Sequence, residues 1–94
     1  MRKEIIEIDL SIPNTPIELH GLLKEKLDLP HFYGNNWDAF WDSITGLVTM
    51  PKKLIFKNTE NLKINMPEDF RIMKSCLNEM EKMYPKSASK TTWT

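Results

Sequence analysis

The chain has a single cysteine, Cys76, so no internal disulfide can form. No GxSxG, P-loop or dinucleotide glycine pattern occurs, which removes the commonest sequence marks of acyl and phosphoryl transfer. His20, His31 and the acidic residues fall into no standard metal-ligand spacing. No apolar run is long enough to span a bilayer. The opening MRKEIIEIDL carries acidic residues where a signal peptide needs an unbroken apolar stretch. A cytoplasmic protein with no membrane association, no metal and no cofactor is expected, and one that is not an enzyme. The most telling shortage is local. Formal net charge is zero, with 13 basic and 13 acidic residues, yet no Lys or Arg occurs in residues 27–51. That window holds Asp28, Asp38 and Asp42, with His31 as its one candidate cation. Nucleic acid is an improbable partner, because phosphate binding needs clustered Lys and Arg. A basic protein surface would be attracted.

What is present reads as one α/β domain over residues 1–94. A chain of this size has one modest core, burying roughly 60–70% of the surface exposed when unfolded. Residues 4–10 alternate loosely and predict a short strand. Thr15-Pro16-Ile17-Glu18 predicts a helix start, with Thr15 as cap, Pro16 at the first helical position and Glu18 completing a capping box. Leu19, Leu22, Leu23 and Leu27 mark its apolar face, and Leu29-Pro30 stops it. His20 beside that face is expected to be a packing residue rather than a ligand. Gly34-Asn35-Asn36 is turn chemistry, and Asn36 suits the N-cap of a helix from Trp37 to about Gly46. Residues 52–57, centred on Leu54-Ile55-Phe56, predict a second, buried strand. Residues 58–66 are polar, with room for a single helical turn. Pro67 opens a third main helix, with Phe70, Met73, Leu77, Met80 and Tyr84 at helical spacing, and Pro85 ends it. Its methionines read as core filler. The tail KSASKTTWT predicts a weak edge strand that adds little to a partner interface and only modestly to the core. The expected architecture is a layer of short parallel strands, two clear and a third weak, covered by three main helices.

Residues 31–46, HFYGNNWDAFWDSITG, stand apart. Asp38 and Asp42 are four apart in a helical segment, so they share a face, where like charges weaken a helix. Asp38 gains from the N-terminal end of the helix dipole. Asp42 does not, and it is a poor helix former. Beside the pair lie Trp37, Phe40, Trp41, Ile44 and Val48 along one face. The two tryptophans are expected to be core residues with exposed edges, and the carboxylates to stand in solvent. Paired carboxylates can do acid–base chemistry, but only facing each other across a substrate. Neighbours on one small helix make a patch. Aromatic rings beside acids, in a stretch without basic groups, have the composition of a protein-binding hot spot.

These residues resemble the barstar family of ribonuclease inhibitors. The resemblance is carried by Leu29-Pro30, Phe32-Tyr33-Gly34, Asn36, Asp38-Ala39, Trp41-Asp42, Thr45-Gly46 and Pro51, with Leu19-His20 upstream, and it covers about residues 4–84. It implies a three-stranded parallel sheet covered by helices. It implies occlusion of the active site of a basic, secreted ribonuclease or related nuclease toxin by the second helix and its preceding loop. By position, Asp42 would take the place of the scissile phosphate, offering two acceptor oxygens to the pocket's Arg, Lys and His. Asp38 would add a second charge. Gly34, Asn36, Trp37, Trp41, Thr45 and Gly46 would line the contact, and ungapped spacing adds Glu79 from the last helix. The resemblance points to an immunity protein that is monomeric when free. A barstar-like module for a different basic partner is the alternative. Three positions depart from the family pattern. Phe32 stands where Tyr is frequent, so its ring can stack but has no hydroxyl. Trp37 replaces an aliphatic residue, and the tail lacks an apolar third strand.

Overall fold

A computed structural model describes residues 2–94. The order is β1 (Ile5–Asp9), α1 (Pro16–Leu27), α2 (Trp37–Asp42), a π turn (Ser43–Leu47), β2 (Lys53–Lys57), α3 (Thr59–Asn65), α4 (Pro67–Met83) and β3 (Lys90–Trp93). The strands form one sheet in the order β1-β2-β3, with both pairings parallel. Helices provide the crossovers that parallel neighbours require. The α/β layer expected from the sequence is therefore the fold.

Register explains which strand residues reach the core. Ile6, Leu54 and Thr91 lie side by side, as do Ile8, Phe56 and Trp93. Ile8, Leu54 and Phe56 are fully buried, and Ile6, Thr91 and Trp93 are half-buried. The alternate residues Glu7, Lys53, Lys57, Lys90 and Thr92 are exposed, and Lys57 pairs with Glu7 at 2.9 Å. Helices thus cover one face of the sheet. Parallel sheets usually bury both faces. Here Ile55 is only half-buried, so β2 is less enclosed than its apolar centre suggests.

The helix starts follow local chemistry. Thr15 Oγ1 accepts from the Glu18 N–H at 3.2 Å, and Pro16 takes the first helical position. The reciprocal bond is displaced by one residue, because Glu18 Oε1 accepts from the Asn14 N–H at 2.7 Å. Leu19, His20, Leu22, Leu23 and Leu27 are the buried face of α1. The helix ends at Asp28 in the left-handed region, φ 55°, where the N–H groups of Asp28 and Leu29 both return to the Lys24 carbonyl. In α4, Met73, Leu77 and Met80 are buried, and they share the core with Phe40, Ile44 and the inward faces of β1 and β2.

Two elements are more substantial than the sequence suggested. The three main helices are α1, α2 and α4, and the segment between β2 and α4 adds a fourth, short one, α3. Residues 59–65 form a seven-residue helix because Thr59 and Leu62 are drawn into the core. The tail is a full third strand. Trp93 stacks on Phe56 with centroids 4.5 Å apart, Ser89 is buried with its Oγ donating to the Pro51 carbonyl at 2.6 Å, and Ala88 packs on the core. Arg2 braces this end, its guanidinium donating to the carbonyls of Met50, Pro51, Lys86, Ser87 and Ala88. A composition count missed this because one aromatic ring, placed in register, anchors the strand.

Candidate functional site

The site is built from the loop after α1, the short helix α2 and the neighbouring flank of α4. The loop is shaped by two side chains. Tyr33 is buried, and its hydroxyl lies 2.5 Å from Nδ1 of His20, itself only 3% exposed. Burial lowers the basicity of His20, opposed in part by the Asp69 carboxylate. Burial likewise raises the Tyr33 hydroxyl above its ordinary range, with a smaller contribution from Cys76. His20 is thus an internal packing residue, as expected. In the turn, Asn35 and not Gly34 adopts the left-handed conformation, φ 53°. Asn tolerates that region better than other side chains because its amide bonds locally.

Asn36 caps α2. Its Oδ1 accepts from the Ala39 N–H at 2.7 Å, and its Nδ2 donates to the Gly34 carbonyl at 3.1 Å. With both ends of the amide engaged, the Asn36 side chain holds the loop–helix junction. Six residues are too few for a helix to be stable by itself. The cap and the fully buried Phe40 hold α2 in place. Beyond Asp42 the expected α-helix widens into the π turn, and the Val48 N–H reaches back to the Ser43 carbonyl at 3.1 Å. Single π turns of this kind are frequent at functional sites.

The sequence-predicted residues divide by environment. Asp38 and Asp42 are exposed on the outer side of α2, and Glu79 is exposed on α4. Among the described residues, none of the three carboxylates forms an ion pair or a side-chain hydrogen bond, whereas Glu4, Glu7, Glu60 and Glu68 are each paired with a cation. Phe32 projects from the loop with 68% of its surface exposed. Gly34 and Gly46 are exposed backbone positions. A Cβ on Gly34 would sit 3.1 Å from the capping amide of Asn36, whereas one on Gly46 would meet nothing within 4 Å. Trp41 is half-buried beside Tyr84, ring centroids 6.5 Å apart, and Thr45 Oγ1 donates to the Trp41 carbonyl at 2.6 Å. Trp37 is half-buried too, its ring 4.3 Å from His20 and its Nε1–H donating to Asp69 at 3.0 Å.

Asp69 escaped the sequence reading because its partner is 32 positions away. The exposed Tyr84 was missed as a neighbour of Trp41, since helical spacing grouped it with the core residues of α4. On α4, Asp69, Cys76, Glu79 and Met83 recur at helical spacing along one flank. Asp69 reaches Trp37 and Cys76 feels the charge of Asp38, so this side of α4 lies against α2, with Glu79 exposed one turn beyond Cys76. Cys76 on it is half-buried, and burial pushes its thiol up, with Asp38 adding to the effect. One cation does approach. Lys24 Nζ donates to the His31 carbonyl at 3.0 Å, placing a positive group from α1 at the edge of a loop that has none in its own sequence.

The free carboxylates and the exposed Phe32 ring lie on an outward, solvent-facing surface whose composition is that of a protein-binding patch. This is the class of a small α/β domain with a parallel three-stranded sheet and an open acidic face. The chain belongs to the barstar family: it matches the family described as Barstar (barnase inhibitor) over residues 3–93. It is also similar to the Bacillus subtilis (strain 168) protein named "Putative ribonuclease inhibitor YrdF", at 48% identity over 60 residues, 64% of each chain. The chain thus spans just under two thirds of the length of that curated relative. The family is one of inhibitors, not catalysts.

Proposed function

We propose that this protein inhibits a basic, secreted ribonuclease of the barnase type, laying α2 and its preceding loop across the active site. The observation that carries the reading is the pair of exposed aspartates, Asp38 and Asp42, free of intramolecular partners and held on a capped helix. A carboxylate kept free in the folded inhibitor loses no internal ion pair when it binds. Asp42 stands in for the scissile phosphate and accepts hydrogen bonds from the pocket's cations. Asp38 and Glu79 add charge that favours encounter with a basic groove. Phe32 stacks on the rim, and Gly34, Trp41, Thr45 and Gly46 shape the surface around the anchor. The name of the Bacillus subtilis relative supports the same reading. In a cell that makes such a nuclease, the inhibitor acts in the cytoplasm as its immunity protein, monomeric until it meets the toxin.

The test is a pull-down with the purified chain, followed by a ribonuclease assay on the captured protein. Inhibition is expected at equimolar inhibitor, and Asp42→Ala should relieve it. Phe32 favours a second reading, a module for a different basic partner, because a bare ring is tolerant of what it stacks on. Capture of a basic protein with no ribonuclease activity would replace the first reading by the second.

A further inference from the structure

The aspartates of α2 can act together with Glu79 of α4 only if the two helices keep a fixed mutual orientation. A six-residue helix has little of its own to fix it. Asn36 holds one end, and Phe40 anchors the underside. Rotation about the helix axis is further resisted by Trp37, the residue immediately before Asp38. Its ring lies between His20, at 4.3 Å, and Phe40, at 5.2 Å. Its Nε1–H donates to the Asp69 carboxylate at 3.0 Å, the one side-chain hydrogen bond joining α2 to α4 among the described residues. A bond to a charged acceptor is roughly twice as strong as a neutral one. Asp69 and Glu79 are on the same rigid helix, about 15 Å apart along its axis at 1.5 Å per residue.

We infer that Asp69 is a positioning residue for the acidic face, acting through the Trp37 indole to hold the carboxylates of α2 in register with Glu79. The inference rests on the reading of that face as the binding surface. It assigns Trp37 a mainly internal role, and it gives the aromatic replacement of an aliphatic residue a purpose, since only an indole brings an N–H to Asp69. Asp69 itself touches no partner.

Four variants of the full chain test this: Asp69→Ala, Asp69→Asn, Trp37→Phe and the double variant Asp69→Ala/Trp37→Phe. Barnase is the binding probe, and amide hydrogen exchange is measured on the free protein. Asp69→Ala should speed exchange at Phe40 and Trp41 while leaving the amides of β1 and β2 unchanged. It should also raise the dissociation rate about tenfold, within the range seen for residues coupled through one hydrogen-bond network. Trp37→Phe should match it, and the double variant should be no worse than either. Asp69→Asn keeps an acceptor oxygen, so it should restore slow dissociation while slowing association through the lost charge. Unchanged exchange in Asp69→Ala overturns the positioning role, whether or not barnase binds. Additive losses in the double variant would make Asp69 a direct contact and overturn it as well. If wild type does not bind barnase, or Asp42→Ala binds as wild type does, the proposed target or phosphate mimicry fails, and exchange alone decides the role of Asp69.

Discussion

The indole of Trp93 lies flat on the ring of Phe56, with planes 10° from parallel and centroids 4.5 Å apart. Phe70 meets the same indole in a T-shaped contact, centroids 5.4 Å apart. This contact joins the last strand to the central strand and to α4, and it turns a polar tail into structure. Trp93→Ala should cost roughly 2–4 kcal/mol, somewhat below the loss for a fully buried aromatic. A chain ending at Lys86 loses that ring and the bonds from Lys90 N–H to Lys52 and from Thr94 N–H to Phe56. It also exposes an edge of β2. Denaturant unfolding should show it largely unfolded at room temperature. A cooperative transition near that of the full chain would mean that β3 is dispensable.

Asp42→Ala should weaken partner binding more than any other alanine substitution in residues 31–46. Truncation leaves the cations of the partner's phosphate site buried and unpaired, a loss on the order of 2–5 kcal/mol or more. That scale comes from truncations of close charge pairs in the barnase–barstar complex itself. Stability should hardly change, because the carboxylate is exposed and unpaired. Parallel calorimetry of binding and of unfolding separates the two effects.

Association should slow steeply with added salt while dissociation changes less. Attraction between an acidic face and a basic groove acts before contact and is screened beyond about 8 Å at physiological ionic strength. Asp38→Asn and Glu79→Gln should each flatten the dependence. Stopped-flow rates with the captured nuclease across a salt series provide the measurement, and a flat wild-type profile would remove steering from the account.

Acid should destabilise the fold in two separable steps. His20 is buried next to Tyr33, and burial holds its folded-state affinity for protons below the ordinary value of 6.5. Its neutral form is favoured in the fold, so stability is intact above about pH 6.5 and declines as pH falls and the unfolded chain gains a proton first. Asp9 acts lower down. The hydroxyl of Ser11, the amide of Asn58 and the N–H of Ser11 donate to its carboxylate and hold it at about 2. That contribution is complete above about pH 4 and fades as pH falls toward 2. Urea midpoints between pH 8 and pH 2 should show both declines. His20→Gln should flatten the upper one and Asp9→Asn the lower one.

Local chemistry was enough to read much of this protein from its residues. Asn36 caps the helix that follows it, Pro16 starts α1, and the leucines of α1 and Met73 and Met80 of α4 face inward, because each depends on neighbours within a turn or two. The acidic pair was legible for the same reason: its spacing, and the absence of nearby Lys or Arg, are properties of one short segment. Tertiary structure decided what depends on distant partners. Trp93 is half-buried only because parallel register sets it beside Phe56, 37 positions earlier by the difference 93 − 56. The indole of Trp37 meets Asp69 only after α4 has packed on α2. Lys24 reaches the His31 carbonyl because α1 turns back at Asp28. Residues 59–65 are helical because the core has room for Leu62. Side chains three or four positions apart meet whenever a helix forms, whereas these contacts exist only in the assembled fold.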